Sequence, residues 1–275
     1  MLANNPKTKQ AAIFFHIVKT AGTTLHQIID RHYQPDETYW IGTKGHPLEH
    51  FTSLSEADRA KIRLLRGHMV FGLHTFLPGP STYFTLLRDP VERTLSYYYF
   101  IRRTPEHYCH DLITSNDMSL EEFLENKADD LIINGQTRVL AGKKWHKECT
   151  EGAVEAAKRN LREHFTIVGL VERFDETLHL LKRALNWQNL YYIRQNVGTN
   201  RPGMDGLPPA TLDAVIKANQ FDIELYQYAT ELFEEKIRQQ GPLFALQVKL
   251  FQLVNQNRTR FPRLLPGRTA STTNS

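Results

Sequence analysis

Three segments of this chain share one arrangement: a short apolar run, a polar or glycine-containing turn, and an amphipathic helix. The apolar runs cover residues 13–17, 83–87 and 165–170, and apolar side chains recur at helical spacing after each turn. Strands that alternate with helices form a parallel sheet covered by helices on both faces. We therefore predict an α/β fold with a central parallel sheet. Ligands are expected at the carboxyl ends of its strands, where the three turns lie.

The rest of the chain predicts mainly helices. The expected elements are a helix over 120–127, a helix over 151–164, a strand over 190–194 and a helix over 209–239. Ser119 and Glu122 have the spacing of a capping box, and Asp175 is the expected N-cap of the helix after the third apolar run. Residues 1–240 are expected to form one domain, and residues 241–275 a C-terminal helix and a basic tail that is disordered from residue 256.

The positive charge of the chain is concentrated near its end. The net charge is +4, and residues from Lys236 onward contribute seven Lys or Arg and no Asp or Glu, so residues 1–235 carry a net −3. A basic surface for nucleic acid is therefore not expected. The N-terminal residues lack the pattern of a secretory signal, and the longest uncharged stretch, 67–87, contains glycine and proline. We expect no transmembrane segment, no nucleic-acid partner and a cytoplasmic location.

The first turn, HIVKTAGTT at residues 16–24, has the composition of an anion-binding loop. A helix start offers N–H groups and the positive end of the helix dipole, and Lys19 adds a full charge. The alternative is that Gly22 and the threonines only turn and cap the chain, and this segment alone supports both interpretations equally. The segment does not match the Walker pattern, because no glycine lies five residues before the lysine.

The second turn, RDPVERTLS at residues 88–96, places a guanidinium at a strand end and a hydroxyl two helical turns later. Arg88 can bind a phosphate through two parallel hydrogen bonds, and Ser96 can add a third donor. The alternative is an ordinary helix start, capped by Asp89 and followed by a solvated Arg93. Taken alone, the second turn favours that alternative.

Taken together, the two turns resemble the sulfotransferases that use 3′-phosphoadenosine 5′-phosphosulfate (PAPS), especially the branch of bacterial family-2 enzymes and heparan sulfate 2-O-sulfotransferases. Weaker similarity lies at residues 66–74, 136–138, 168–172 and 196–202, so the resemblance spans residues 11–240 in family order. It implies a P-loop NTPase-like central sheet, PAPS as donor substrate, and transfer of its sulfuryl group to an acceptor hydroxyl, such as that of a carbohydrate.

The resemblance also assigns binding residues. The 5′-phosphosulfate would be held by the side chains of Lys19, Thr23 and Thr24 and by the backbone of Thr20, Ala21, Gly22, Thr23 and Thr24. The 3′-phosphate would be bound by Arg88 and Ser96, with Ile101 packing nearby. Asn200 and Arg201 fall in a segment similar to the loop that closes over the nucleotide, for which a plain solvated loop is the alternative.

Sulfuryl transfer needs a base for the acceptor hydroxyl and a cation for the leaving phosphate. Lys19 is the expected cation. His68 is the expected base, because it falls where the resembled branch has its histidine, while His16, His26 and His74 are less favoured. Two residues depart from the family: Val18 replaces its usual proline, and Arg66 replaces a second histidine of the 2-O-sulfotransferases. The second departure puts uronic-acid specificity in doubt, so a bacterial-type acceptor is at least as plausible.

Other interpretations stay open at this point. A zinc set could be drawn from His107, Cys109, His110, His146 and Cys149, but its spacing fits no compact zinc module, so no metal is predicted. The two cysteines would be free or form one bridge. Acceptor contacts are expected from residues 102–130 and around Arg138. The alternatives to a sulfotransferase are a nucleotide kinase and a non-catalytic nucleotide-binding protein of the same fold.

Overall fold

The computed structural model of the chain describes residues 10–42, 45–127, 129–142, 149–193 and 203–260. Five strands lie within these residues: β1 (Ala11–Phe15), β2 (Thr38–Ile41), β3 (Leu64–Gly67), β4 (Ser81–Leu87) and β5 (Phe165–Leu170). They form one sheet in the order β2-β3-β1-β4-β5, and each neighbouring pair is parallel. The predicted α/β fold with a central parallel sheet is therefore confirmed.

Helices connect and cover the strands. They are α1 (Gly22–Ile29), α2 (Leu48–Ser53), α3 (Glu56–Arg59), α4 (Pro90–Arg102), α5 (His110–Ser115), α6 (Leu120–Asn126), α7 (Gly135–Ala141), α8 (Glu151–His164), α9 (Phe174–Leu185), α10 (Pro209–Ala218), α11 (Gln220–Arg238) and α12 (Phe244–Arg260). Parallel strands need such crossover connections, since a tight hairpin can join only antiparallel strands. None of the described helices combines the length and apolar character that a membrane span requires.

The central strand β1 is completely apolar. Every residue of β1 is buried, as expected for a strand with helices on both faces. Leu25, Ile28 and Ile29 form the buried face of α1 and join the same core. The Thr85 hydroxyl satisfies its hydrogen bonding in this dry environment by donating to the Phe15 carbonyl at 2.6 Å. That bond ties the carboxyl ends of β1 and β4 together.

A further apolar cluster lies among α4, α5, α6 and α10. Its buried members include Leu95 and Ile101 of α4, Phe123 of α6 and Val215 of α10. The loop residue Val18 packs against the same cluster. These helices therefore support the turn after β1 from one side, while the main sheet supports it from the other.

The strand register places the predicted functional turns side by side. Phe15, the last residue of β1, pairs with Gly67 at the end of β3 and with Thr85 near the end of β4. β2 and β3 lie on one side of β1, whereas β4 and β5 lie on its other side, so the direction in which the chain adds strands to the sheet reverses between β1 and β4. Ligands of open α/β sheets bind at such a reversal.

Several local predictions are confirmed or corrected. The third strand at 165–170, helix α8 and the capping box of Ser119 and Glu122 agree with the sequence patterns. Helix α9, however, has Arg173 as its N-cap, and Asp175 instead accepts hydrogen bonds from the Tyr192 hydroxyl and the Gln252 amide. The strands β2 and β3 were not predicted, because each has only four residues.

The expectations for the C-terminal third were partly wrong. The described residues of the expected strand 190–194, which are 190–193, form no strand. The expected helix 209–239 is divided at Asn219, whose buried side chain donates to Thr94 and accepts from the backbone of Asn134 instead of supporting a continuous helix. Disorder was expected from residue 256, but α12 continues to Arg260. Residues 261–275 lie outside the described residues. The division into domains at residue 240 stays a prediction.

Candidate active site

The turn after β1 holds its backbone in an uncommon conformation. Lys19 and Ala21 have φ of 70° and 59°, in the left-handed region that residues with a Cβ rarely adopt. Such residues cluster at ligand sites. The Thr20 hydroxyl closes the turn by donating to the Ile17 carbonyl at 2.9 Å. Helix α1 then begins at Gly22 with Ala21 as its N-cap, whose methyl group cannot accept from the first-turn N–H groups, so an anion suits this helix start.

The residues predicted to bind the 5′-phosphosulfate differ in exposure. Thr23 is exposed and Lys19 is partly buried, whereas Thr20 and Thr24 are buried. Because the Thr20 hydroxyl is used within the turn, its predicted role depends on its backbone N–H. Val18 anchors the turn by packing on the α4 cluster, so van der Waals contact restrains the backbone where the resembled family has proline.

Lys19 connects the first turn with the second. Its ammonium lies 4.1 Å from the centre of the Phe100 ring on α4, in a cation–π contact. Its backbone carbonyl accepts a hydrogen bond from Arg88 Nη1 at 3.4 Å. The structure thus brings Arg88 into contact with the backbone of Lys19, 69 residues earlier in the sequence.

Arg88 is held at the end of β4 by groups on other elements. Its backbone N–H donates to Gln136 Oε1 at 3.0 Å, and Gln136 Nε2 donates back to the Arg88 carbonyl at 2.9 Å. Its guanidinium forms an ion pair with Glu92 at 3.1 Å. The other oxygen of Glu92 accepts from the Met204 backbone at 3.2 Å. No role for Glu92 or Gln136 is predicted from the sequence, although the i, i+4 spacing of Arg88 and Glu92 is a usable signal.

The remaining nucleotide-binding candidates are less closely tied to this site. Ser96 lies on α4, partly buried, one further turn along the face that carries Glu92. Ile101 is completely buried in the α4 cluster, where it fills the core. Asn200 and Arg201 lie outside the described residues. Binding of the nucleotide by these four residues stays a prediction.

His68 follows β3 and lies beside the first turn. It is exposed, and its Nδ1 donates to the backbone carbonyl of His16 at 3.0 Å. A carbonyl oxygen only accepts, so in the neutral ring the proton is on Nδ1 and the lone pair is on Nε2. The geometry therefore prepares Nε2 to accept a proton, as a general base must.

His16 fixes the position of the His68 ring. The two imidazoles stack with centroids 4.3 Å apart. His16 Nδ1 shares a hydrogen bond of 3.2 Å with His26 Nε2, and the His26 ring stacks on Trp40 at 4.3 Å. A row of aromatic rings thus runs from the exposed His68 into the protein, and the less favoured His16 and His26 support His68 in that row.

Gly67 lets His68 leave the sheet at this point. Its φ is +133°, and a Cβ there would lie 1.9 Å from the Ile41 carbonyl oxygen, so only glycine fits. Arg66, before it, contacts other side chains: its guanidinium lies 4.1 Å from the Trp40 ring and pairs with Asp30. The structure therefore gives Arg66 a supporting contact rather than the place of a second histidine.

His74, the remaining histidine considered as base, has a different environment. Its Nδ1 hydrogen-bonds with the hydroxyl of Tyr83, and burial lowers the pKa of His74, helped by the nearby His164. Burial raises the pKa of Tyr83 to about 12, so its hydroxyl stays protonated at neutral pH. These contacts connect His74 to the core below β4 and not to the two turns.

A buried ion pair between α4 and α11 supports the second turn through Gln136. Arg93 and Asp222 are 1% and 0% exposed, with 3.5 Å between Nη2 and Oδ2. Asp222 also accepts from the backbone N–H groups of Gln136 and Thr137 at 3.2 and 2.7 Å. Since Gln136 holds the backbone of Arg88, this pair connects α11 and α4 to the site.

Cysteine and histidine side chains meet at one place away from the turns. His107, Cys109 and Asp129 have potential ligand atoms within 4.8 Å of one another. Hydrogen bonds account for the arrangement: the Cys109 N–H donates to His107 Nδ1, and Asp129 accepts from the Tyr97 hydroxyl and the Leu131 N–H. Cys109 and Cys149, both within the described residues, are not joined by a disulfide, and burial raises the pKa of Cys109 and that of Cys149, the latter to about 12. His146 lies outside the described residues.

Comparison with known proteins shows which family this chain belongs to. The model of the galactose-3-O-sulfotransferase family matches residues 2–264. The chain belongs to the galactose-3-O-sulfotransferase family. The predicted resemblance to sulfotransferases is thereby confirmed.

Relatives of this member of the galactose-3-O-sulfotransferase family are distant. Galactose-3-O-sulfotransferase 3 of Bos taurus is 26% identical over 263 residues, which are 86% of this chain and 60% of that protein. Heparan-sulfate 6-O-sulfotransferase 1-B of Danio rerio is 28% identical over 182 residues, which are 56% of this chain and 44% of that protein. A sulfotransferase structure from Alicyclobacillus acidocaldarius has 14% identity and a TM-score of 0.40, covering 82% of this chain and 96% of its own. The chain thus spans about half the length of the curated relatives it matches.

Proposed function

We propose that this protein transfers the sulfuryl group of PAPS to a hydroxyl of a carbohydrate acceptor. The observation that carries the proposal is the meeting of three groups at the carboxyl edge of β3, β1 and β4. Arg88 donates to the Lys19 backbone, and the exposed His68 donates to the His16 backbone at the start of the same turn. A base and a cation for the leaving group are what this transfer requires, and a second cation can bind the other phosphate of the nucleotide.

The roles follow from the charges. His68 Nε2 takes the proton of the acceptor hydroxyl as its oxygen attacks sulfur. The bond between sulfur and the bridging phosphate oxygen breaks, and Lys19 with the N–H groups at the start of α1 stabilises the charge that develops on the 5′-phosphate. Arg88 binds the 3′-phosphate. The products are a sulfate ester and adenosine 3′,5′-bisphosphate.

The proposed acceptor class comes from the family and from the position of the base. Relatives are named for sulfation of galactose and of heparan sulfate. The exposure of His68 leaves room for an acceptor to approach from solvent. We infer a sugar hydroxyl as acceptor, with a terminal galactoside as the first compound to test and heparan sulfate as the second. A cytoplasmic location stays a prediction.

Incubation with radiolabelled PAPS and these two acceptors tests the proposal. Label should appear in the sugar product, and Lys19→Ala, Arg88→Ala and His68→Ala should each lower kcat/KM by at least about 100-fold, the usual size of acid–base and electrostatic contributions. Lys61→Ala is a matched control, because its side chain is exposed and lies just before the amino end of β3, at the opposite edge of the sheet from the turns. Full activity in His68→Ala would overturn its role as base.

Binding measurements separate this proposal from the alternatives. Calorimetry should show binding of adenosine 3′,5′-bisphosphate that weakens in Arg88→Ala. Binding without transfer to any acceptor in a broad panel would favour a non-catalytic nucleotide-binding protein. Binding of ATP with Mg²⁺ in preference to the bisphosphate would favour a nucleotide kinase, an alternative that the comparisons do not support.

A further inference from the structure

Helix α12 presents an apolar face to solvent. The exposed apolar side chains are 43% to 63% exposed and comprise Leu243, Leu246, Leu250, Leu253 and Val254. The four within the helix follow the i, i+4, i+7, i+8 spacing of a single face. Contiguous exposed apolar patches of this kind mark interaction surfaces.

The opposite side of α12 is firmly attached to the protein. Phe244 and Val248 are only 3% and 5% exposed and belong to the main core. The amide of Gln252 donates to Asp175 at 3.0 Å, and the carbonyl oxygen of the Asn255 side chain accepts from the backbone of residue 192 at 3.1 Å. The helix therefore cannot rotate to bury its leucines without breaking these contacts.

A groove between α9 and α12 continues this apolar face. It has a volume of about 520 Å³, with Leu250 and Phe251 among its apolar lining and Lys182 and Arg183 among its cationic lining. Arg183 is held in place by donating to Gln247 at 2.8 Å. A groove with apolar and cationic walls suits a molecule that has an acyl chain and an anionic head group.

The basic residues near the apolar face of α12 indicate what kind of partner binds there. Residues 236–256 contain three Lys or Arg and no Asp or Glu, and Lys249 lies on α12 among the exposed leucines. In a symmetric dimer through this face, each basic segment would lie against its own copy, so like charges would oppose pairing. An anionic surface is complementary to the same residues.

We propose that α12 docks on the surface of a membrane containing anionic phospholipids. The leucine face would insert at the boundary between head groups and acyl chains, with the helix lying parallel to the surface, and the Lys and Arg side chains would contact the head groups. This is peripheral binding, so it requires no membrane-spanning helix. It is independent of the sulfotransferase proposal, because neither turn contributes to it.

Sedimentation with lipid vesicles tests the proposal on the full chain. The protein should bind vesicles of phosphatidylcholine with phosphatidylserine, and much less those of phosphatidylcholine alone, with binding reduced by high salt. The double variant Leu250→Ser/Leu253→Ser should bind at least about 10-fold more weakly, because two apolar side chains no longer insert. Lys249→Gln should bind about fivefold more weakly.

Two controls keep the result interpretable. Ile216→Ser removes an apolar side chain of similar exposure, 41%, on α10 and should leave vesicle binding unchanged. Thermal unfolding should show that the leucine variants stay folded, since the replaced side chains are more than half exposed. Equal binding to neutral and anionic vesicles, or no binding to either, would overturn the proposal. A dimer in light scattering that the leucine variant dissociates, without vesicle binding, would instead identify a second copy as the partner.

Discussion

The imidazole of His16 lies directly over Gly22: a Cβ built on that glycine would be 1.7 Å from His16 Nε2. Because His16 also stacks on His68, the first residue of α1 and the proposed base are connected through one ring. Gly22→Ala should therefore displace His16, destabilise the protein by about 1–3 kcal/mol and lower kcat. Urea unfolding and steady-state kinetics measure both effects. Gly79→Ala is the matched control, since its Cβ would meet nothing within 4 Å, and an equal loss in both variants would contradict this account.

The stack of His16 on His68 also makes His16 a positioning residue. His16→Ala removes the ring but keeps the backbone carbonyl that accepts from His68 Nδ1. We expect kcat to fall about 10-fold with little change in the KM for PAPS, because the orientation of the base and not donor binding is impaired. His16→Phe, which retains a ring for stacking, should recover part of kcat. No difference between the alanine and phenylalanine variants would rule out positioning by the ring.

The ion pair of Arg88 and Glu92 should oppose anion binding. Glu92 lies 3.1 Å from the guanidinium, so its carboxylate competes with a phosphate for the same donors and repels its charge. Glu92→Gln should bind adenosine 3′,5′-bisphosphate several-fold more tightly, whereas Arg88→Ala should weaken binding at least about 10-fold. Isothermal titration calorimetry at two salt concentrations measures both. Weaker binding in Glu92→Gln would mean that Glu92 mainly orients the arginine.

The buried pair of Arg93 and Asp222 should matter for stability. Asp222→Asn leaves the charge of Arg93 without compensation in a dry environment, which costs about 3–5 kcal/mol. The same change weakens the support of Gln136, so donor binding should decrease as well. Urea unfolding measures the loss, and Lys61→Ala, which breaks an exposed pair with Asp58, should leave the free energy of unfolding unchanged. A loss no greater than that of the control would mean that the pair is dispensable.

Three histidines that are buried or partly buried predict acid sensitivity. Burial lowers the pKa of His179, and that of His32 and His74, in the folded protein. The unfolded chain therefore binds protons first as pH falls, and the fold loses stability as pH decreases through the ordinary histidine pKa of about 6.5 towards the lower folded values. Unfolding temperatures measured from pH 8 to 5 should show this decline, and His179→Leu should show a smaller one. An equally steep decline in that variant would assign the effect to other groups.

The predictions from sequence succeeded where local pattern controls structure. β5 and α8 have the predicted bounds, because an apolar run and an amphipathic helix each carry their own signal. The short strands β2 and β3 were missed, since four residues hold too little periodicity and these strands exist only by pairing with each other and with β1. The expected helix over 209–239 is divided at Asn219, whose side chain forms hydrogen bonds with residues 134 and 94. No local pattern reveals those bonds.

The amino-acid sequence alone was sufficient for the fold class and the two cationic turns, because strand, turn and helix patterns and the placement of Lys19 and Arg88 are local properties, and its two turns together gave the resemblance to sulfotransferases. The tertiary structure decided what these residues contact. It put the Lys19 carbonyl within reach of Arg88, paired Arg88 with Glu92, and stacked His68 on His16. Those relationships depend on strand order, since β1 lies between β3 and β4 in the sheet although β2 and β3 follow it in the chain. Which loops become neighbours is a property of the packed sheet and cannot be derived from any one segment.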